Sequence, residues 1–369
     1  MGIRRTLVTL CFSLLMAPWM TASAEKSYDV LELPAVPSEL AARSLIFAIH
    51  KYHDRFYAVG HRGHILLSDD GENWIQAEVP VRSTLLDIHF PTPELGWAVG
   101  HEGVILHSTD GGKTWSKQYD GLRYGEEGLA YYSRLAQETP ENEDFPFLVG
   151  EMEFAISQGA DKPLFKVLFH NENFGHALGA YGMILRTEDG GKNWEHVLHN
   201  TENDSFYHVF DFAALPGGSR FFMSGEAGLF MIGDIDAASA VLIENVPWEG
   251  SFFTSAATAE GAVVLGGLRG RMFRTEDEGA SWEEVQKPPT SSIVASTALD
   301  DGRLVFAGIA GELLVSSDGG RSFNFLPIST GSRIYTVSEG PEGSLLACLL
   351  YTSPSPRDHL AHRVCRLLL

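Results

Sequence analysis

Cysteine is nearly missing from this sequence. Of 369 residues only Cys11, Cys348 and Cys365 are cysteines, and none falls between residues 12 and 347. Disulfides, thiol chemistry and cysteine-held metals are thereby excluded over the body of the chain. Basic charge is scarce as well: 27 Lys and Arg stand against 48 Asp and Glu, a formal net charge of −21. That balance argues against nucleic acid or an anionic lipid surface as a partner and suits docking to a basic protein surface. Beyond the N-terminus no apolar run is long enough to span a bilayer, which speaks against direct membrane insertion. Helical periodicity is sparse. The 14 histidines show no metal-ligand spacing, there is no Gly-x-Ser-x-Gly elbow, and no phosphate-binding loop follows a strand. No catalytic residue, no metal and no cofactor is therefore expected.

What the sequence does contain is a unit written five times at a period near forty. Val99-Gly100-His101-Glu102-Gly103 leads to Ser108-Thr109-Asp110-Gly111-Gly112-Lys113-Thr114-Trp115, and Gly179-Ala180-Tyr181-Gly182 leads to Thr187, Asp189, Gly190, Gly191 and Trp194. Gly267 and Gly270 precede Thr275, Asp277, Gly279 and Trp282, and Gly308 and Gly311 precede Ser316, Asp318, Gly320 and Phe323. The first copy, Gly60 and Gly63 followed by Ser68, Asp70, Gly71 and Trp74, is one residue short in its turn. A sixth keeps Gly225-Glu226-Ala227-Gly228 and loses the aspartate box. Apolar, β-rich runs precede these glycines, and a seventh begins at Ile334. Four short antiparallel strands per forty residues make a propeller blade, so the fold class is all-β, a seven-bladed β-propeller with its last blade truncated.

The repeated box has a local physical reason. Its Ser or Thr and Asp side chains can bond backbone N–H groups inside a hairpin turn while the glycines take positive φ, and the closing Trp packs between blades. Asp70, Asp110, Asp189, Asp277, Asp318, Trp74, Trp115, Trp194 and Trp282 are accordingly read as structural, because one active site does not need five copies. The Gly-x-x-Gly turns join the second and third strands and share a face with the blade-to-blade connections, near the channel mouth where propellers usually bind ligands. The residues between the glycines would form a crown there: His61, Arg62, His101, Glu102, Tyr181, Glu226 and Arg269.

Three stretches lie outside the repeat. Residues 1–24 carry Arg4 and Arg5, an apolar stretch from Leu7 to Met16 and Ala22-Ser23-Ala24, the pattern of a signal peptide cleaved after Ala24 and of export to a bacterial periplasm. Residues 119–163 are an insertion after the second blade: strand starts at Leu85 and Leu164 lie 79 residues apart where neighbouring units sit 40 to 46 apart. It includes Glu126, Glu127, Leu129, Tyr132 and Leu135, with Glu138, Glu141, Glu143 and Asp144 before Phe145. A helical or irregular excursion on one face is expected, the rival being a degenerate eighth blade using Val149-Gly150. The run from Cys348 to Asp358 resembles a translated sequencing-library adapter, so 348–369 are expected to be foreign and the propeller to occupy 25–347. Removing Arg4, Arg5, Arg357, Arg363, Arg366 and Asp358 with the two ends takes the formal charge from −21 to −25. Ring closure would then be incomplete and leave a sheet edge open, with Tyr28–Leu33 able to supply an outer strand.

The Val-Gly-x-x-Gly and Asp-Gly-Gly-x-x-Trp unit, from about Leu45 to Ala347, resembles the photosystem II assembly and stability factor family of chloroplasts and cyanobacteria. Asp161-Lys162-Pro163-Leu164 running into Phe174-Gly175-His176-Ala177-Leu178-Gly179-Ala180-Tyr181-Gly182 is similar to an exported proteobacterial branch associated with resistance-nodulation-division type transporters. The resemblance implies a non-enzymatic, monomeric scaffold that docks on the periplasmic side of a membrane protein or transporter complex. The photosynthetic members use an arginine-rich face, whereas the crown here holds only Arg62 and Arg269. The enzyme alternative is a sialidase-like glycoside hydrolase, which shares the aspartate boxes on a six-bladed propeller but needs an arginine triad, a Tyr–Glu pair and an acid/base Asp.

Overall fold

A computed structural model describes residues 29–235, 239–286, 289–329, 331–349 and 364–367. The leader and the Ala24 cleavage point lie outside them. Seven antiparallel sheets follow one another in sequence order, six with four strands and the seventh with three. Calling the strands A to D outward, the blades span residues 46–76, 85–119, 164–196, 209–242, 252–284, 293–329 and 334–349 with 364–367. Each A strand packs against the A strand of the next blade, and the seventh returns to the first, closing the ring. The blade count is thus seven, as the repeat indicated.

B strands carry the core. Gly96–Gly100, Gly175–Gly179, Val263–Gly267 and Leu304–Gly308 are buried at every residue, because each lies inside its sheet and is covered on both faces by neighbouring blades. Trp97 shows the consequence: its indole stacks on Phe169 of the next blade with ring centroids 3.5 Å apart, and it is wholly buried. The two glycines of the B–C turn have different reasons. Gly100 is extended, and a Cβ there would lie 2.1 Å from the Thr84 carbonyl oxygen, so only glycine permits the close approach of strand A. Gly103 has φ +63 and takes the left-handed conformation the turn requires.

Every aspartate box closes on itself. Ser108 Oγ donates to Asp110 Oδ1 at 2.9 Å and accepts the Gly112 N–H at 2.9 Å, while Asp110 Oδ1 accepts the Lys113 and Thr114 N–H groups at 3.0 Å. Trp115 donates its indole N–H to the Gly112 carbonyl at 2.9 Å and packs edge-on against Phe90. The Ser/Thr-to-Asp bond and the Asp-to-backbone bond recur at Asp189, Asp277 and Asp318, whereas the indole bond does not: Trp194 Nε1 and Trp282 Nε1 have no partner among the described residues. Hydrogen bonds from Asn73, Glu72 and Ser68 hold the Asp70 carboxyl far below the ordinary range. Burial opposes the effect at Asp318, yet donors from Ser322 and Ser316 still hold it at about 2.

The insertion is a helical hairpin, α1 (Gly121–Glu138) and α2 (Asp144–Gln158), so Val149-Gly150 belongs to a helix and the eighth-blade alternative falls. Asp120 caps α1 by accepting the Leu122 and Arg123 N–H groups at 3.1 Å. Tyr124, Tyr131 and Tyr132 of α1 surround His196 at the outer edge of blade 3.

Chain closure departs from expectation. Residues 29–33 form a turn, with the Leu31 N–H on Asp29 Oδ1 at 2.9 Å, since a short acidic side chain followed by Pro34 favours an Asx turn over a strand. The segment then runs beside the first D–A connection, where the Val30 carbonyl accepts the Arg82 N–H at 2.7 Å and the Ala35 N–H donates to Val79 at 2.9 Å. The third strand of blade 7 is instead Val364–Leu367, antiparallel to Leu345–Leu349.

Candidate functional site

The B–C turns hold the second residue of the crown in an uncommon backbone conformation. Arg62, Glu102, Tyr181, Ala227 and Arg269 have φ between +52 and +58, a region non-glycine residues enter at a cost of about 1 kcal/mol or more. The first N–H of each turn is anchored to its own blade: His61 to the Leu45 carbonyl, His101 to Thr84, Ala180 to Pro163 and Glu226 to His208, all at 2.9–3.0 Å. The turn then reaches across to the following blade. His61 Nδ1 lies 3.1 Å from Thr84 Oγ1, the Tyr181 N–H donates to His208 Nδ1 at 3.1 Å, and the Arg269 N–H donates to Ser292 Oγ at 3.0 Å.

Four of the seven crown residues converge. His61, Arg62, His101 and Glu102 line a cleft of about 570 Å³ over blades 1 and 2, roofed by Val30, Val36, Pro37 and Ser38 and floored by Arg82, Ser83 and Thr84. Two buried oxygens of its wall, Ser83 Oγ and Glu102 Oε2, have no hydrogen-bond partner among the described residues. Burial, reinforced by the nearby Arg62 and His101, pushes His61 below its ordinary value and keeps the ring neutral at pH 7. The cleft thus offers a cation, a carboxylate, a hydroxyl and the neutral His61 imidazole beside apolar walls, a combination able to take both the donors and the acceptors of an extended peptide.

The other three crown residues stand apart because successive blades rotate around the ring. Tyr181 and Glu226 are joined through His208, whose ring lies 4.7 Å from the Tyr181 ring and whose Nε2 is 3.6 Å from the Glu226 carboxylate. Arg269 is exposed on blade 5. The crown is therefore three stations on one face rather than a single site. Arg82 and Ser83 were not legible as site residues, since the D–A connection that supplies them lacks a repeated motif; nor were His64, just past its B–C turn, and the 30–38 roof, which precedes the first blade.

The channel wall was missed altogether. Lys166 of blade 3 lies 3.3 Å from Asp211 of blade 4 and 3.8 Å from Asp87 of blade 2; Asp211 accepts the Ser255 N–H of blade 5 at 2.6 Å, and Ser296 of blade 6 donates to the Ser255 carbonyl at 2.7 Å. Lys51 of blade 1 bridges to Asp300 and Glu339 of blades 6 and 7 at 2.8 and 2.9 Å. Burial alone would push Lys166 down, but Asp87 and Asp211 more than offset it and hold the amine protonated. This girdle surrounds a cavity of about 420 Å³ whose charged lining is Lys51, Asp87, Lys166, Asp300 and Glu339. The hydrolase alternative needs three arginines at such a position, and none lines that cavity.

The sequence model of the family described as "Photosynthesis system II assembly factor YCF48" matches residues 66–145 and 154–345. The "Photosystem II assembly protein Ycf48" of Synechococcus sp. (strain JA-2-3B'a(2-13)) is 28% identical over 175 residues, covering 43% of this chain and 49% of the relative. The "Photosystem II assembly lipoprotein Ycf48" of Nostoc sp. is 39% identical over 72 residues, 18% of this chain and 21% of that protein. The alignments thus span about half the length of the former and about a fifth of the latter. Among solved structures, "YCF48 bound to D1 peptide" superposes with a TM-score of 0.60 at 17% identity, covering 85% of this chain and 95% of the other.

Proposed function

Because the chain belongs to the photosystem II assembly factor family of Ycf48, we propose that it is a non-enzymatic, monomeric assembly scaffold whose crown face grips an extended segment of a membrane protein. The observation that carries this reading is the cleft over blades 1 and 2, where four crown residues converge and two buried oxygens, one of them on Glu102 itself and the other on Ser83, have no partner among the described residues. An extended peptide supplies N–H donors for Glu102 and carbonyl acceptors for Arg62 and Ser83, and so satisfies groups that the fold leaves open. A solved relative carries a D1 peptide, the general kind of ligand invoked here. We place the protein outside the cytoplasmic membrane, in keeping with its leader-like first 24 residues and with relatives named lipoproteins. The transporter-associated likeness of residues 161–182 makes a resistance-nodulation-division type complex the first partner to examine.

The test is capture from host membranes with a photo-crosslinking residue at position 38 in the cleft roof, introduced both into the otherwise unchanged protein and into a variant carrying Arg62→Ala, Glu102→Gln and Ser83→Ala. Crosslinks to a soluble loop or terminus of one membrane protein, lost in the variant, are expected. Equal capture by the variant would remove the cleft from the mechanism.

A further inference from the structure

We propose that the outer face of α2, together with the crown residue Tyr181 and the neighbouring Phe206, is a second docking surface, and that its occupant is a basic amphipathic helical segment of a partner protein. Twelve large apolar side chains are well exposed among the described residues, and five of them, Leu122, Phe147, Phe154, Ile156 and Tyr181, sit on the hairpin or on the turn next to it. Phe145, Leu148, Met152 and Ala155 give α2 an ordinary buried stripe toward the protein. Phe147 and Phe154 do not belong to it. They stand seven residues apart, two turns along the same outer side, and between them lies Gly150, where a Cβ would meet nothing within 4 Å. Two rings flanking a bare notch form the kind of hole that receives a side chain of a docked helix.

The surroundings extend this surface and give it a sign. Phe206 lies 5.6 Å from the Phe147 ring and is held at φ +55, a conformation rare for a bulky residue, by the Asn203 carbonyl accepting its N–H and by Asn203 bonds to Tyr207. The Lys162 amine sits 5.8 Å from the Phe154 ring and 5.9 Å from the Tyr181 ring, joining the helix face to the crown. Residues 121–158 hold eight acidic and two basic side chains, and both bases are already paired, Arg123 with Glu127 and Arg134 with Glu138. The family match breaks off at 145 and resumes at 154, so Phe147 and Gly150 lie outside the matched residues.

Charge selects the occupant. A second copy would bring acid against acid, and anionic headgroups would be repelled, whereas a helix with one apolar and one Lys/Arg face meets both the rings and the carboxylates. The surface does not depend on the blade 1–2 cleft, so either proposal can fail alone.

The probe is a labelled helical peptide of Lys and Leu in amphipathic order, titrated by fluorescence anisotropy at low and raised salt. Its controls are a scrambled peptide of the same composition and a Glu/Leu counterpart. The ordered Lys/Leu peptide is expected to bind, and the exposed double variant Phe147→Ser with Phe154→Ser to weaken binding about tenfold or more with an unchanged melting temperature. Glu151→Gln with Glu153→Gln should weaken it less and flatten the salt dependence, while Glu94→Gln with Glu260→Gln on the opposite face changes nothing. Equal binding of the scrambled peptide, equal loss from either acidic pair, or no loss from the phenylalanine variant would overturn the proposal. So would self-association abolished by Phe147→Ser, or binding to neutral phosphatidylcholine vesicles.

Discussion

The two faces of the propeller solve the same geometric problem, a tight turn between adjacent strands, in opposite ways. On one face the C–D turns repeat an aspartate box whose donors and acceptors are consumed within the turn, as Ser108, Asp110 and Thr114 show. On the other, the B–C turns repeat only the glycines and vary the residue between them through Arg62, Glu102, Tyr181, Ala227 and Arg269. Repetition with saturated bonding marks scaffold. A repeated backbone bearing unlike side chains, one of them Glu102 with an unpartnered oxygen, marks a surface that meets something else.

The comparison is best broken from its structural side first. Trp115→Ala on the box face should cost about 3–5 kcal/mol in chemical denaturation and leave partner capture by the folded fraction intact. A loss of capture greater than the loss of folded protein would mean that the faces are coupled.

Acid provides the second perturbation. Burial, then His170 and Arg186, lowers His176 to about 3; burial, then His199, lowers His196 to about 4. Both are neutral when folded and take up protons near 6.5 when unfolded. Their contribution is therefore fully present above pH 6.5 and is lost as pH falls toward 4, by up to about 1.4 kcal/mol per pH unit for each ring. Urea midpoints between pH 7 and 4 should show this slope, and His196→Phe should reduce it by the share of one histidine.

Smaller effects sharpen the contrast. Asp189→Ala removes the acceptor of the Asn193 N–H and side-chain amide and should cost about 1–2 kcal/mol without affecting crown binding. Arg62→Gly should do the reverse: relief of the positive φ changes stability by about +0.5 kcal/mol or less, while crosslinking through the cleft is lost. A destabilised Arg62→Gly with intact crosslinking would make the crown arginine structural.

Much of this was legible because it is periodic. The strands, the boxes, the crown turns and the displaced unit at 119–163 follow from spacing, and the helical content of the insertion from Leu129, Tyr132 and Leu135 at helical intervals. The channel girdle was not legible, since Lys166, Asp87 and Asp211 are single polar residues within apolar strands, and their pairing comes from ring closure. Of the strand expected at 28–33, Tyr28 lies outside the described residues, and 29–33 form a turn because Asp29 bonds its own neighbouring backbone. The crown was read as one site although a ring places successive turns in different directions, and no spacing along the chain reports that angle.

The cross-blade bonds of the crown carry a mechanical consequence. Thr84, His208 and Ser292 each receive a turn from the preceding blade while sitting at the root of the next innermost strand. A load applied to any of these three turns is thereby handed to the neighbouring blade, and the channel girdle resists the opening that such a load would produce. A ligand tugged by a moving membrane complex would be held by a hoop under tension rather than by a single loop, so the grip would outlast the failure of any one contact.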